Sequence, residues 1–244
     1  MKQRLDTLMV ERGLAETRTK AQALIMAGQV SSADRILDKP GQSVDSSLEL
    51  HLKTQSRYVS RAGEKLASVA EALHLDFQGK TVLDVGSSTG GFTDFALQQG
   101  ATKVYCVDVG TAQLAYKLRQ DPRVVVMEQT DIREAKLSVP ADMVVIDVSF
   151  ISLTKVLGAV AELVGRDAPI VAMVKPQFEA GKALADKHGG VIPMGEERDG
   201  VLQGLRDWLS EVFVIEAEAD SGLAGAKGNL ERFFRLRVLG TRKH

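Results

Sequence analysis

Five apolar runs, each followed by a segment with helical spacing, constrain the fold of this chain more than any other feature. They read TVLDVG (81–86), KVYCVDVG (103–110), RVVVMEQTD (123–131), MVVIDVSF (143–150) and PIVAMVKP (169–176). Near-continuous Val and Ile stretches suit strands buried on both faces, as in a parallel sheet covered by helices. Two further runs, VFVIEAEA (212–219) and ERFFRLRVLG (231–240), have no helical segment between them and predict an antiparallel pair closing the sheet. The expectation is an α/β fold on a seven-stranded, mostly parallel sheet. Ligands of such open sheets collect outside the carboxyl ends of the strands.

Composition narrows the class. The 244 residues leave room for one large domain and one small one. No run approaches the ~18 apolar residues of a membrane span. The opening MKQRLDTLMVERG is charged throughout, unlike a secretory signal. A cytoplasmic protein is expected. The one cysteine, Cys106, lies in an apolar run and reads as a buried structural thiol. The histidines His51, His74, His188 and His244 lack ligand spacing, so no metal is expected. A net charge of −1 argues against a wholly basic nucleic-acid binder but permits a local basic face.

Residues 1–56 read as a separate α+β unit. One helix begins at Leu5 and ends near Gly13; a second runs from about Thr17 to Met26, with Gly28 as its stop. Val30, Ile36-Leu37 and Leu48–Leu52 read as short strands, with a turn at Lys39-Pro40-Gly41. So small a unit is expected to lean on a partner. Gln55–Ser60 is a plausible hinge, giving domains 1–56 and 61–244 around a linker at 57–60. A helix is predicted over about Arg61 to Leu75, with Ser60 as N-cap and Leu66, Val69, Ala70 and Leu73 on its buried face.

The turn after the first apolar run is glycine-rich: Leu83-Asp84-Val85-Gly86-Ser87-Ser88-Thr89-Gly90-Gly91-Phe92. A phosphate-binding P-loop would end in GK[ST], but Phe92 follows Gly91. The dinucleotide pattern GxGxxG is also missing. Asp108, about 20 residues beyond the turn, is placed to accept ribose hydroxyls. Asp131 and Asp147 end the next two runs. Taken singly, each acid is a turn or cap residue. Together with the glycine turn they point to a ligand site. Lys175 closes the fifth run, and the ends of neighbouring strands lie about 4.8 Å apart. Glu231 opens the last run, at the same sheet edge if that strand is antiparallel.

The glycine turn resembles the first motif of S-adenosylmethionine enzymes. The sheet pattern resembles that of class I, Rossmann-like methyltransferases. By that resemblance Asp84, Gly86, Ser87, Gly90, Gly91, Phe92, Asp108, Asp131 and Asp147 are candidate cofactor contacts, with Asp131 beside the adenine. SRAGEKL (60–66), MVVID (143–147), VKPQFEAG (174–181) and GNLERFF (228–234) resemble FtsJ-like RNA 2'-O-methyltransferases. The resemblance implies a Lys65, Asp147, Lys175, Glu231 tetrad. A ribose hydroxyl is a poor nucleophile, and a desolvated lysine beside another cation gives up its proton more easily. Lys175 is therefore the expected general base and Asp147 its orienting partner.

VDVGTAQLAYKLRQDPRV (107–124) and VSRAGEKL (59–66) narrow the resemblance to the TlyA family, also called haemolysin A, over essentially the whole chain. RLDTLMVERGLAETRTKAQALIMAGQV (4–30) and KPGQ (39–42) resemble the S-four RNA-binding domain. Arg4, Arg18, Lys20 and Gln22 are then candidate RNA contacts; each taken alone is an ordinary solvated helix residue. The chain departs from the family where SSADRILDKP lacks a Val-Asn-Gly turn and where GAKGN stands for GPxGN. Residues 182–200 read as a mobile loop over the cleft. The resemblance implies methylation of cytidine 2'-hydroxyls in ribosomal RNA, free or in a subunit, with no membrane partner, no metal and no particular oligomeric state. Three alternatives compete: a pore-forming haemolysin, a catalytically silent RNA-binding module, and a methyltransferase acting on a base, protein or small molecule. Val148-Ser149-Phe150 after Asp147 lacks the prolines of base-methylating motifs.

Overall fold

The computed structural model describes residues 1–33, 35–52, 57–165, 167–225 and 227–239. The chain divides into two compact units, Met1–Gln55 and Ser56–His244.

The first unit contains β1 (Lys2–Arg4), α1 (Leu5–Glu11), α2 (Arg18–Met26), β2 (Val30–Ser32), β3 (Arg35–Ile36), β4 (Ser43–Asp45) and β5 (His51–Leu52). β1 pairs antiparallel with β4, and β2 stands between β3 and β5. The helices match their periodicity. Thr17 caps α2 by accepting the Lys20 N–H. The unit has its own core, in which Leu5, Leu8, Met9, Ile25, Val30 and Val44 are buried. β1 and β4 escaped the sequence reading because KQR and SVD are too short and polar to carry a strand pattern. The strand expected over Leu48–Leu52 is confined to His51–Leu52.

The second unit comprises α3 (Arg61–Val69), β6 (Thr81–Val85), α4 (Gly91–Gln98), β7 (Lys103–Val107), α5 (Tyr116–Arg119), β8 (Val124–Met127), β9 (Met143–Ile146), α6 (Leu157–Glu162), β10 (Ile170–Val174), α7 (Pro176–Glu179), α8 (Gly181–Lys187), α9 (Glu196–Ser210), β11 (Phe213–Asp220) and β12 (Arg232–Val238). Its seven strands lie in the order β11-β12-β10-β9-β6-β7-β8. β6 to β10 are parallel, and β12 runs antiparallel to both β10 and β11. Both faces are covered. Leu83, Val85, Tyr105 and Val107 point into one apolar layer, and Val82, Val104 and Cys106 into the other. This double burial is why the runs show no polar alternation.

Several expectations are corrected. Residues 57–60 are packed into this unit, not strung out as a linker: Tyr58 is buried against Phe95, and the Val59 N–H donates to Asp94. The remainder of the expected hinge, up to Ser56, lies outside the described residues. Ser60 holds the N-cap position of α3, but its side chain makes no capping bond. α3 stops at Val69 instead of Leu75 and gives way to turns. No helix lies between β8 and β9. The polar segment 182–200 is mostly helical, split between α8 and the start of α9, because polar residues suit helices with one exposed side.

Candidate active site

The chain runs from β6 out to β7 and β8, then crosses back to β9 on the other side of β6. This reversal opens a crevice at the carboxyl ends of β6 and β9. Gly86 lies there with φ +79°, and a Cβ at this position would stand 2.6 Å from the Asp147 carbonyl oxygen. Only glycine lets the two strand ends come so close.

A cavity of about 550 Å³ follows the crevice, bounded by Gly86, Asp108, Gly110, Gln113, Asp131 and Asp147 among others. Among the described residues its wall carries three carboxylates and no lysine or arginine. A smaller cavity of about 140 Å³ adjoins it, lined by Asp84, Ser87, Gly91, Phe92 and Asp147. Gly90 lines neither; it is the N-cap of α4. Asp84 is fully buried. Thr93 Oγ1 donates to its Oδ2 at 2.6 Å, while Oδ1 has no partner among the described residues. Burial pushes this carboxyl up to about 7. Cys106 is buried beside Thr93, 3.0 Å from Oγ1, and burial pushes its thiol well up. Asp108 ties β7 to the glycine turn, accepting the Ser88 N–H at 2.8 Å and the Gly110 N–H at 2.7 Å. Asp131 stands on the cavity wall, four residues beyond the end of β8, with its carboxylate engaged by the Arg133 guanidinium and N–H.

A second cavity of about 520 Å³ gathers Lys65, Asp147, Lys175 and Glu231. β12 starts where β10 ends, since Arg232 is opposite Val174, so Glu231 and Lys175 occupy the same edge. Lys175 Nζ lies 2.6 Å from Asp147 Oδ1 and donates to Ser149 Oγ at 2.6 Å. Lys65 Nζ lies 2.7 Å from Glu231 Oε1. Glu231 Oε2 is buried without a partner among the described residues. Burial raises the Asp147 carboxyl, and Lys175 pulls against that rise.

Lys65 reaches the cavity through a glycine contact. α3 and α4 touch at Gly63 and Gly91: a Cβ on Gly63 would lie 2.8 Å from the Gly91 carbonyl oxygen, and one on Gly91 would lie 2.8 Å from the Gly63 nitrogen. Gly63 was not singled out in the sequence, although a glycine inside a helix pattern signals such an approach. Ser149 and Phe150 were also missed. Phe150 is 90% exposed with φ +63°, lines both large cavities, and lies 5.0 Å from the Phe178 ring. So strained a non-glycine residue at a site edge is a functional signal that only coordinates reveal.

The four candidate RNA contacts fall differently. Arg4, Arg18 and Gln22 all donate to Asp6, a fully buried carboxylate, instead of projecting separately into solvent. Lys20 is exposed and 3.7 Å from Glu16.

Residues 58–232 match the FtsJ-like methyltransferase family, and residues 3–50 match the S4 domain. This chain belongs to the FtsJ-like methyltransferase family. YqxC of Bacillus subtilis, which carries a provisional rRNA methyltransferase name, is 45% identical over 96% of this chain and 85% of its own length. The 16S/23S rRNA (cytidine-2'-O)-methyltransferase TlyA of Mycobacterium tuberculosis is 41% identical over 96% of this chain and 90% of its own. A solved structure from Streptococcus thermophilus with a provisional hemolysin name is 40% identical. It covers 97% of this chain and 88% of its own, with a TM-score of 0.73. Among the described residues of this FtsJ-like chain, no helix is long and apolar enough to cross a membrane. No group of three or more His, Cys, Asp or Glu among them could hold a metal ion.

Proposed function

We propose that this chain transfers a methyl group from S-adenosylmethionine to cytidine ribose 2'-hydroxyls of ribosomal RNA. One observation carries the reading: the Lys175–Asp147 and Lys65–Glu231 ion pairs share a cavity that adjoins the carboxylate-lined crevice at Gly86. S-adenosylmethionine bears positive charge at sulfur and at its ammonium, and has no phosphate. Of the three carboxylates on the crevice wall, Asp131 is matched by Arg133 and Asp147 by Lys175, which leaves Asp108 without a side-chain cation among the described residues. With no lysine or arginine on the wall itself, the crevice fits this cofactor better than a phosphorylated dinucleotide. The unpartnered Asp84 Oδ1, beside the small cavity at Ser87 and Gly91, suits the amino-acid end. Each Asp108 oxygen accepts one backbone N–H and keeps a lone pair for a ribose hydroxyl. Asp131 and Gln113 would flank the base, Gly90 would shape the turn, and Phe92 would close its floor. When bound, the cofactor supplies a methyl group on a good leaving group.

The protein's part is positioning and proton removal. Lys175 Nζ is held from two sides, by Asp147 and Ser149, which leaves one tetrahedral direction for the ribose hydroxyl. In this reading Lys175 acts as the neutral amine, its two N–H groups on Asp147 and Ser149 and its lone pair toward the hydroxyl. It takes the hydroxyl proton there and becomes the ammonium that pairs with Asp147, while the oxygen takes the methyl group. Lys65 and Glu231 keep their charges paired at the cavity wall and hold β12 and α3 in place around it. Residues 1–56 act as an RNA-binding domain through Arg4, Arg18, Lys20 and Gln22, and residues from 57 onward form the methyltransferase domain. The substrate class implies a cytoplasmic protein working on ribosomal RNA or a ribosomal subunit. The test is to map 2'-O-methyl cytidines in ribosomal RNA from cells with the gene, without it, and complemented with Lys175→Ala. Sites that vanish on deletion and return only with the unaltered gene are expected. An unchanged methylation map would refute the proposal.

A further inference from the structure

The geometry points to Asp6 and Gly41 as positioning residues that build Arg4 and Arg18 into a rigid clamp for a phosphate of the RNA backbone. This rests on the reading of the N-terminal unit as RNA-binding and says how that surface is made.

Asp6 is the second residue of α1 and is 0% exposed. Arg4 grips it side-on, Nε to Oδ1 at 3.0 Å and Nη2 to Oδ2 at 2.8 Å. Arg18 Nε and Gln22 Nε2 reach Oδ2 at 2.9 and 2.8 Å. Those bonds, Arg4's first, hold the carboxyl well below the usual carboxylate range despite its burial. A buried ion pair is a poor source of stability, since apolar replacements often do as well, but it can fix a unique arrangement. Here the acid is enclosed while its partners are not: the side chains of Arg4 and Arg18 are 48% and 55% exposed. A guanidinium carries five N–H donors. Arg4 spends two on Asp6 and Arg18 spends one, so seven of the ten remain without a protein partner among the described residues. The cluster also retains a net positive charge.

The turn after Lys39 closes the arrangement. A Cβ on Gly41 would lie 3.1 Å from Arg4 Nη1 and 3.3 Å from Nη2, so the bare backbone makes room for the fork. The same turn accepts the first N–H groups of α1, Leu5 to the Gln42 carbonyl and Asp6 to the Pro40 carbonyl. Turn, acid and both forks therefore move as one body. Planar forks held in fixed orientation match phosphate oxygens bidentately, and phosphate contacts set the orientation of a protein on its nucleic acid.

The decisive experiment measures binding of the full-length protein to a labelled RNA stem-loop across a salt series. Thermal unfolding of each variant is followed in parallel. Asp6→Asn adds one unit of positive charge to the cluster. Diffuse attraction would then bind RNA more tightly, whereas a clamp that has lost its anchor binds roughly tenfold more weakly, with a shallower salt dependence. A folded Asp6→Asn protein that binds as tightly as wild type, or more tightly, overturns the proposal. If Asp6→Asn unfolds the N-terminal unit, Arg4→Lys and Arg18→Lys decide at constant charge: weaker binding supports the clamp and unchanged binding overturns it. An Arg4→Ala, Arg18→Ala double variant separates the two levels. Wild-type binding by it removes the RNA reading of this face together with the clamp. Lost binding in it, with Asp6→Asn unaffected, removes only the positioning role.

Discussion

The tetrad cavity and the Asp6 cluster use the same pairing of cation with carboxylate and expose it in opposite ways. In the tetrad both members of each pair are enclosed: Lys65 and Glu231 are 10% and 4% exposed, Lys175 and Asp147 13% and 18%. Around Asp6 only the acid is enclosed. An enclosed pair keeps its charges within the protein, so a reacting group entering the cavity meets a fixed field with little water to screen it. An open pair presents spare donors to a ligand arriving from solvent. The difference follows from architecture. The tetrad hangs on the edge of a sheet covered on both faces, while Asp6 sits on a short helix at the surface of a small unit.

If that contrast is functional, Lys175→Ala should produce the largest effect. Methyl transfer to ribosomal subunits should fall by about 10² to 10⁴, the range lost with a general acid or base, while affinity for S-adenosylhomocysteine stays unchanged. Calorimetry alongside a radiolabel assay checks both halves, and substantial residual transfer would take the proton-removing role away from Lys175. Glu231→Ala sharpens the comparison through stability. It leaves Lys65 enclosed without its partner, which costs about 3–5 kcal/mol for a broken buried pair. The Lys65→Met, Glu231→Leu double variant should recover much of that loss in denaturant unfolding while remaining inactive. If the single and double variants are equally destabilised, the pair is not acting as an enclosed ion pair.

How much of this was legible beforehand differs between the two regions for the same architectural reason. Continuous apolar runs announce a doubly covered sheet, and residues that end such runs, Asp108, Asp147 and Lys175, share an edge whatever the loops do. Glu231 followed once β12 was taken as antiparallel. The route of Lys65 into the cavity was not legible, because it depends on Gly63 meeting Gly91, two residues far apart in sequence. Nor was the polar segment 182–200: α8 buries no residue, and of the stripe that α9 buries, Arg198, Leu202, Leu205 and Leu209, only the charged Arg198 falls inside the segment. In the N-terminal unit the motif pointed to Arg4, Arg18 and Gln22 but gave no hint that all three converge on Asp6. An acid at the second position of a helix looks like an ordinary favourable charge at its N-terminus.

Phe150 tests whether the tetrad cavity is also a binding surface. An exposed ring between the two large cavities offers a face for a nucleobase, and such stacking contributes about 1–3 kcal/mol per base. Phe150→Ala should therefore raise the KM for RNA roughly tenfold or more while leaving the KM for the cofactor unchanged. Equal rises in both would mean that the ring only shapes the crevice.

The smallest expected effect concerns Asp84, a third kind of carboxylate in the comparison: enclosed like Asp147, yet held by Thr93 and by no cation among the described residues. Burial raises it from an ordinary value of 3.8 to about 7, so the folded protein binds this proton more tightly than the unfolded chain does. The stability it contributes is fully present below the unfolded value and is lost as pH rises through about 7. Asp84→Asn removes the titration while keeping the shape. Its melting temperature should gain on that of the wild type as pH rises from 5 to 8, by a few degrees at the upper end. Thermal denaturation of both proteins without cofactor measures the gap directly. A gap that stays constant over that range would mean Asp84 does not change charge there, and that the crevice tolerates a bare carboxylate even without a cation to meet it.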